Sequence, residues 1–162
     1  MIESAATNIL FKIANTPGEF VEGRNLFLQY ANSLDVDLSF QDFQNELNNI
    51  DKQYSAPKGA LLLAYTGNIA IGCAGIRELD KHIAELKRMF VEPGYREFKI
   101  GRKLLELAID MAKELQYSFV RLDTLPTMTK AQGLYRSFGF YEIPPYRFNP
   151  VDGTVFMEMK LI

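Results

Sequence analysis

The sequence predicts an α/β protein of the α+β kind, one mixed β-sheet with helices packed on both faces. Three observations carry this. Ala60–Tyr65 and Ile69–Arg77 are apolar, β-prone runs joined by Thr66-Gly67-Asn68, so an antiparallel hairpin comes early. Ala84–Val91, a helical segment from Ile100 and then Phe119–Leu122 alternate strand, helix, strand, the mark of a parallel crossover. That helical segment places Leu104, Leu105, Ala108, Met111, Ala112 and Leu115 on one face, and Arg102, Lys103, Glu106, Asp110 and Lys113 on the other.

The chain opens with a predicted strand over Ile9–Ala14. Asn15-Thr16-Pro17-Gly18 turns it, with Thr16 as N-cap, Pro17 at the first helical position and Glu19 in the first turn. Phe20, Phe27, Leu28, Ala31 and Leu34 form a helical stripe, broken by Asp35–Leu38. A second helix is expected from Ser39 to about Ile50, with Phe40, Phe43, Leu47 and Ile50 on one face and Ser39-x-x-Asp42 as a weak capping box. Asp51–Gly59 reads as a polar loop, and Glu78–Lys81 as the link between hairpin and central strand. Pro93-Gly94 stops that strand, because proline donates no ladder hydrogen bond. After Phe119–Leu122, Thr127 or Thr129 is expected to cap a helix through Tyr135–Phe138, with Gly139 as its stop. A short strand from Gly139-Phe140-Tyr141, a loop forced by Pro144-Pro145 and a last strand within Gly153–Leu161 complete the sheet.

The 162 residues suit a single domain with a sizeable core, and no linker, repeat or low-complexity tract divides them. A net charge of −2 supplies no global field for nucleic acid or an anionic membrane. No apolar run is long enough to span a bilayer. The first residues lack the basic start and apolar run of a signal peptide, so a cytoplasmic location is expected. Cys73 and His82 are each the only residue of their kind, which leaves little material for a metal site, a disulfide or a Ser-His-Asp triad; no metal is expected. Cys73, between Gly72 and Ala74, reads as a small buried hydrophobe, and His82 as a structural or surface residue. G-x-G-x-x-G after the first strand and G-x-x-x-x-G-K-[ST] are both missing, which argues against a dinucleotide fold or a P-loop enzyme.

The chemistry concentrates where the central strand gives way to the long helix. Arg96-Glu97-Phe98-Lys99-Ile100-Gly101-Arg102 spans the helix start, with Lys103 just inside. The first turn of a helix has N–H groups with no partner inside the helix, and the macrodipole favours an anion there. Four cations at that end are locally unfavourable until an anion such as a polyphosphate arrives. Gly101 keeps the backbone approachable. The same letters also fit a solvated basic turn before an ordinary amphipathic helix.

Here the sequence resembles the GNAT superfamily of N-acetyltransferases. Arg96-Glu97-Phe98-Lys99-Ile100-Gly101 is similar to its acyl-CoA motif Q/R-x-x-G-x-G/A, with Lys99 in place of the first glycine. Ala131-x-x-Leu134-Tyr135-x-x-x-Gly139-Phe140 is similar to its A-x-x-L-Y-x-x-x-G-F signature, and the two motifs come in the family's order. The resemblance implies the GNAT, or acyl-CoA N-acyltransferase, fold. It implies acetyl-CoA as co-substrate and direct acetyl transfer to a primary amine, of a small molecule or a peptide. It further implies that the backbone of Met89, Phe90 and Val91 holds the pantetheine arm and that Arg96 to Arg102 hold the pyrophosphate. A homodimer is open by analogy alone.

Such a transfer needs a deprotonated amine, donors toward the thioester carbonyl and a proton for the departing thiolate. Glu85, early in the central strand, stands by ungapped count where some members carry a general-base glutamate, and a partly apolar strand should raise its pKa. It reads equally as a rim glutamate paired with Lys87 or Arg77. Tyr135 stands where the family's tyrosine lies near the sulfur and is the candidate acid; it reads also as a core tyrosine. Asp123 and Thr124, ending the strand after the long helix, and Tyr146, Arg147 and Asn149, after the double proline, are candidates to line the acceptor's pocket. A non-catalytic acyl-CoA sensor or regulatory module shares the helix start, and loss of Glu85 or Tyr135 separates it from the enzyme. A nucleotide-phosphate-binding domain would instead bind nucleotides that CoA does not displace.

Overall fold

The computed structural model describes residues 8–34 and 36–161. In chain order these form β1 (Ile9–Ile13), α1 (Pro17–Ser33), a 3-10 turn (Leu38–Gln41), α2 (Phe43–Asn48), α3 (Ile50–Gln53), β2 (Ala60–Thr66), β3 (Ile69–Asp80) and β4 (Ile83–Val91). A second 3-10 turn (Pro93–Phe98), α4 (Ile100–Glu114), β5 (Phe119–Thr124), α5 (Thr129–Ser137), β6 (Tyr141–Ile143) and β7 (Val155–Lys160) come next. The seven strands join one sheet in the order β1-β2-β3-β4-β5-β7-β6, in which only β4 and β5 run parallel. This is the expected mixed sheet with a single central crossover.

Helices cover both faces. On one, α4 and α5 bring Leu104, Leu105, Ala108 and Tyr135 against Leu62, Ala74, Leu86 and Met157. On the other, α1 to α3 bring Phe27, Leu47, Ile50 and Tyr54 against Leu61, Leu63, Cys73 and Phe90. Cys73 is buried there, as a small hydrophobe would be. The α1 start is as expected: Thr16 Oγ1 accepts from the Glu19 N–H at 3.2 Å while Glu19 Oε1 accepts from the Thr16 N–H at 3.2 Å, a reciprocal capping box.

Three local expectations are corrected. The helix expected from Ser39 to Ile50 is a 3-10 turn and two short helices, because Asp42 sits at φ 56° in the left-handed region and interrupts the ladder. Asp37 caps the turn, its Oδ1 accepting from the Ser39 N–H at 2.9 Å, so Ser39-x-x-Asp42 is no capping box. Asp35 and the Phe40 side chain lie outside the described residues. Glu78–Asp80 belongs to β3 rather than to a link, and the Asp80 carboxylate closes the hairpin by accepting from the N–H groups of His82 and Ile83. Neither Thr127 nor Thr129 caps α5, whose first residue comes after Met128 without a side-chain cap. Its other end is as expected. Gly139, at φ 106°, stops α5 as its N–H meets the Arg136 carbonyl and the Phe140 N–H meets that of Tyr135.

Two irregularities of β4 position the site. Its pairing with β5 runs only through Ile83↔Phe119, Ala84↔Val120 and Glu85↔Arg121; beyond Glu85 the strands part. Its pairing with β3 jumps from Gly75↔Lys87 to Cys73↔Phe90, one residue longer on β4, with Arg88 at φ 57°. This is a β-bulge, which bends the strand and re-aims Met89 to Val91.

Candidate active site

The gap left by the parting strands opens into a cleft of about 570 Å³. Met89, Phe90 and Val91 of β4 form one wall, Arg96 and Gly101 one end, and Thr127 to Ala131 with Leu134 of α5 the opposite wall. Tyr30 of α1 closes the side toward the other face of the sheet. The volume is ordinary for a small-molecule site.

The helix start at its end is built as an anion site requires. No side chain caps α4, so its first N–H groups keep their outward donors. A Cβ placed on Gly101 would touch only a Val91 methyl, at 3.9 Å, which leaves the backbone approachable from the cleft. Lys99 adopts φ 58°, a left-handed conformation that glycine takes most easily, so the residue departs from the expected motif while the turn keeps such a geometry. The Arg96 guanidinium donates to the Val91 carbonyl at 2.8 Å and lies over the Phe90 ring, tying the turn to the strand. That carbonyl is therefore already engaged. Arg102 stacks on Phe138, and Glu97 and Lys99 are exposed. Phe98 and Ile100 turn into the core, so only their backbone is available to a ligand.

Glu85 is placed differently from expectation. It is fully buried, and four donors meet its carboxylate. Arg77 approaches Oε1 with Nε and Nη2, each at 3.3 Å; Arg147 Nη2 and the Tyr146 hydroxyl reach Oε2 at 2.6 and 2.7 Å. Burial alone would raise its pKa, but the charges of Lys87, Arg147 and Arg77 and the Tyr146 hydrogen bond outweigh it and hold the carboxyl below its ordinary value. The raised pKa expected for a base is thus reversed, and each carboxylate oxygen already accepts one hydrogen bond and faces a further guanidinium nitrogen. Tyr146, expected in an acceptor pocket, is part of this knot; its ring lies under Arg121 and Arg147 and meets Phe156 edge-on at 5.2 Å.

The other acceptor candidates do come together. Asp123, Thr124 and Asn149 line one small pocket on the α1 side of the parting strands, shared with Tyr30, Lys87 and Arg88. Asn149 Nδ2 donates to Asp123 Oδ2 at 3.3 Å, and Thr124 Oγ1 turns to the Met128 sulfur at 3.7 Å. Tyr135, 7% exposed, packs on Phe140 at 5.7 Å. Burial first, then Tyr30 and Asp123 nearby, push its pKa up, so its hydroxyl keeps its proton. His82 lies exposed in the β3–β4 turn, away from the cleft.

Lys87 was visible in the sequence only as a partner for Glu85, and Tyr30 not at all. Lys87 is 3% exposed. Burial, then Arg88, outweigh Glu85 and Asp123 and lower its pKa from 10.5 to about 7. Charged residues at every second position of a buried strand, Glu85 and Lys87, were the available signal. Lys87→Met removes this titration. Between about 7 and 10.5 the unfolded parent binds a proton that the folded chain rejects, so parental stability rises with pH there. Thermal unfolding from pH 6 to 10 should show that rise in the parent and a flatter profile in the variant.

The comparisons with known proteins agree with this geometry. The sequence profile described as the Acetyltransferase (GNAT) family matches residues 24–140. An N-acetyltransferase of Schizosaccharomyces pombe, itself uncharacterized, is 32% identical over 157 residues, 96% of either chain. Another, from Dictyostelium discoideum, is 30% identical, over 84% of this chain and 92% of its own. Among solved structures, a GNAT-family acetyltransferase of Staphylococcus aureus superposes with a TM-score of 0.78 at 30% identity, covering 95% of this chain and 99% of that one. With this profile match, these relatives and the shared mixed-sheet fold, the chain belongs to the GNAT family of acetyltransferases.

Proposed function

We propose that this chain acts as a single domain that moves the acetyl group of acetyl-CoA directly onto a primary amine. The observation that carries the reading is the juxtaposition of an uncapped helix start with the stretch of β4 that no longer pairs with β5, in one cleft whose far wall includes Leu134, the residue before Tyr135. The donor set fits a diphosphate on a pantetheine tail. The α4 N–H groups, with Arg96, Lys99 and Arg102 around them, take the diphosphate. The main chain of Met89 to Val91 takes the tail in strand fashion. When bound, acetyl-CoA supplies an acyl carbon activated by a thiol leaving group.

The remaining roles fall to this chain's own groups. Tyr135 keeps its hydroxyl protonated and is assigned to the departing sulfur, where a proton is needed. Asp123 draws in the acceptor's ammonium and, with water, takes up its proton. Glu85 is assigned a different part from the base anticipated for it, that of holding Arg77, Arg147 and Tyr146 in place beneath the acceptor.

Two variants test the assignment. Tyr135→Phe is expected to slow thiol release at least about tenfold while acetyl-CoA still raises the melting temperature as in the parent; unchanged turnover removes Tyr135 from the reaction. Arg102→Glu is expected to weaken acetyl-CoA binding about tenfold in calorimetry, with a steeper loss at low salt. Parental affinity would release the helix start from its role.

A further inference from the structure

Acetyl transfer asks for a donor at the thioester carbonyl, whose oxygen takes on charge as the amine attacks. Tyr135 and Asp123 serve the sulfur and the amine, which leaves the carbonyl unattended. The side chain placed for it is Tyr30. Among the described residues, Tyr30 alone lines both the cleft of about 570 Å³ and the small pocket of Asp123, Thr124 and Asn149. It therefore stands where an acyl group carried along the cleft and an amine held in the pocket meet. Tyr30 packs with the α1 face of the sheet and Tyr135 with the α4–α5 face. Between them the sheet is open, because β4 and β5 part beyond Glu85. The Tyr135 hydroxyl feels Tyr30 and Asp123, and the Tyr30 hydroxyl feels Asp123, so the three groups share one neighbourhood.

The Tyr30 ring is anchored and its proton is kept. The ring meets Phe90 edge-on at 6.1 Å, which fixes it to the stretch of β4 assigned to the pantetheine tail. Burial first, against the Arg88 charge and with that of Asp123, raises its pKa, so the hydroxyl is a donor at neutral pH. Neighbouring donors are engaged elsewhere. Ser33 donates to the Tyr30 carbonyl at 2.6 Å, and Arg96 to that of Val91 at 2.8 Å. The Thr124 hydroxyl turns to the Met128 sulfur, and the Asn149 amide to Asp123.

We infer that Tyr30 is a further catalytic residue, its hydroxyl donating a hydrogen bond to the thioester carbonyl and holding that oxygen as it becomes an alkoxide. The inference rests on the proposed acetyl transfer and completes its set of donors. The amine nitrogen bonds to the acyl carbon as the carbonyl π pair moves onto oxygen. That pair returns as the C–S bond breaks, and the sulfur leaves with the bonding electrons. The proton lost by the nitrogen, to water with Asp123, is balanced by the one gained at sulfur through Tyr135. Tyr30 keeps its own proton throughout.

Tyr30→Phe tests this, since it keeps the ring on Phe90 and removes only the hydroxyl. Its kcat should fall about a hundredfold, the scale of one lost oxyanion donor, with KM for acetyl-CoA within about twofold of the parent's. Infrared difference spectra of acetyl-CoA labelled with 13C at the carbonyl, bound without amine, read the contact itself. A hydrogen-bonded carbonyl stretches at lower frequency, so the band should move up in Tyr30→Phe. A parental kcat, or a band that the substitution leaves unmoved, would overturn the inference and leave the acetyl transfer standing. If the parent acetylates no amine, the transfer itself falls. The band then decides alone: a move upward supports the contact between Tyr30 and the acyl oxygen, and an unmoved band rejects it.

Discussion

Glu46→Ala is expected to cost about 3–5 kcal/mol of folding stability, enough to leave much of the chain unfolded at 37 °C. Glu46 is 1% exposed and accepts three hydrogen bonds, two from Arg88 and one from the Tyr54 hydroxyl at 2.7 Å. Its removal strands a buried guanidinium and a buried hydroxyl together, which costs far more than the pair contributes when intact. The consequence reaches the cleft. Arg88 is the left-handed residue of the β4 bulge; its carbonyl accepts from the Cys73 thiol, and its guanidinium lies over Phe43 at 5.1 Å. Glu46 therefore ties α2 to the bend that turns Met89–Val91 toward the cleft. Replacing the whole group by apolar residues of similar volume, Glu46→Met with Arg88→Met and Tyr54→Phe, should recover most of the stability. Urea denaturation of the single and triple variants measures both. Equal midpoints for Glu46→Ala and parent would show that the group carries no stability.

Glu85→Ala is the second large effect, also about 3–5 kcal/mol, because Arg77 and Arg147 would be left facing each other over a vacated carboxylate. The same carboxylate gives the fold an acid limit. Its folded pKa lies below the ordinary 4.5, so its contribution is complete above 4.5 and drains away as the pH falls through the folded value. Glu46 is depressed in the same direction, for the same charged-partner reason set against burial, and adds to the loss. The parent should lose stability steeply below pH 4.5. Glu85→Gln, less stable at neutral pH, should show a shallower acid slope. Parallel slopes in the two proteins would contradict the ion-pair account. Kinetics separates this anchoring part from that of a base. Were Glu85 the base, a folded Glu85→Gln protein would lose the parental pH profile and regain activity only as the amine itself deprotonates, at about pH 10; as an anchor, its variant keeps the parental pH profile at a lower level.

The strand order and the crossover were legible because they rest on periodicity and turn residues, which are local. Ala84–Val91 reads as a buried strand, and Leu104 to Leu115 as an apolar helix face, from spacing alone. The α2–α3 region was not legible, since its shape depends on Asp42 at positive φ and on Glu46 reaching across to Arg88, a partner 42 residues away. The direction of the Glu85 pKa shift was not legible for a related reason. The residue's environment was judged from its apolar strand neighbours, while the charges of Lys87, Arg147 and Arg77 and the Tyr146 hydroxyl hold its pKa down, and Arg147 and Tyr146 arrive from the loop before β7. The helix-start motif is local in the way strand periodicity is, so Arg96 and Gly101 fall at the cleft where the spacing put them. Lys87 needed the end of β4–β5 pairing to acquire meaning, and pairing is a long-range fact.

The decisive measurement supplies the purified chain with acetyl-CoA and a primary amine together, counting thiol released and N-acetyl product formed by mass. One thiol should appear for each acetylated amine, with negligible release when the amine is omitted. Tight acetyl-CoA binding with no acetylated amine from any acceptor would contradict the proposed transfer.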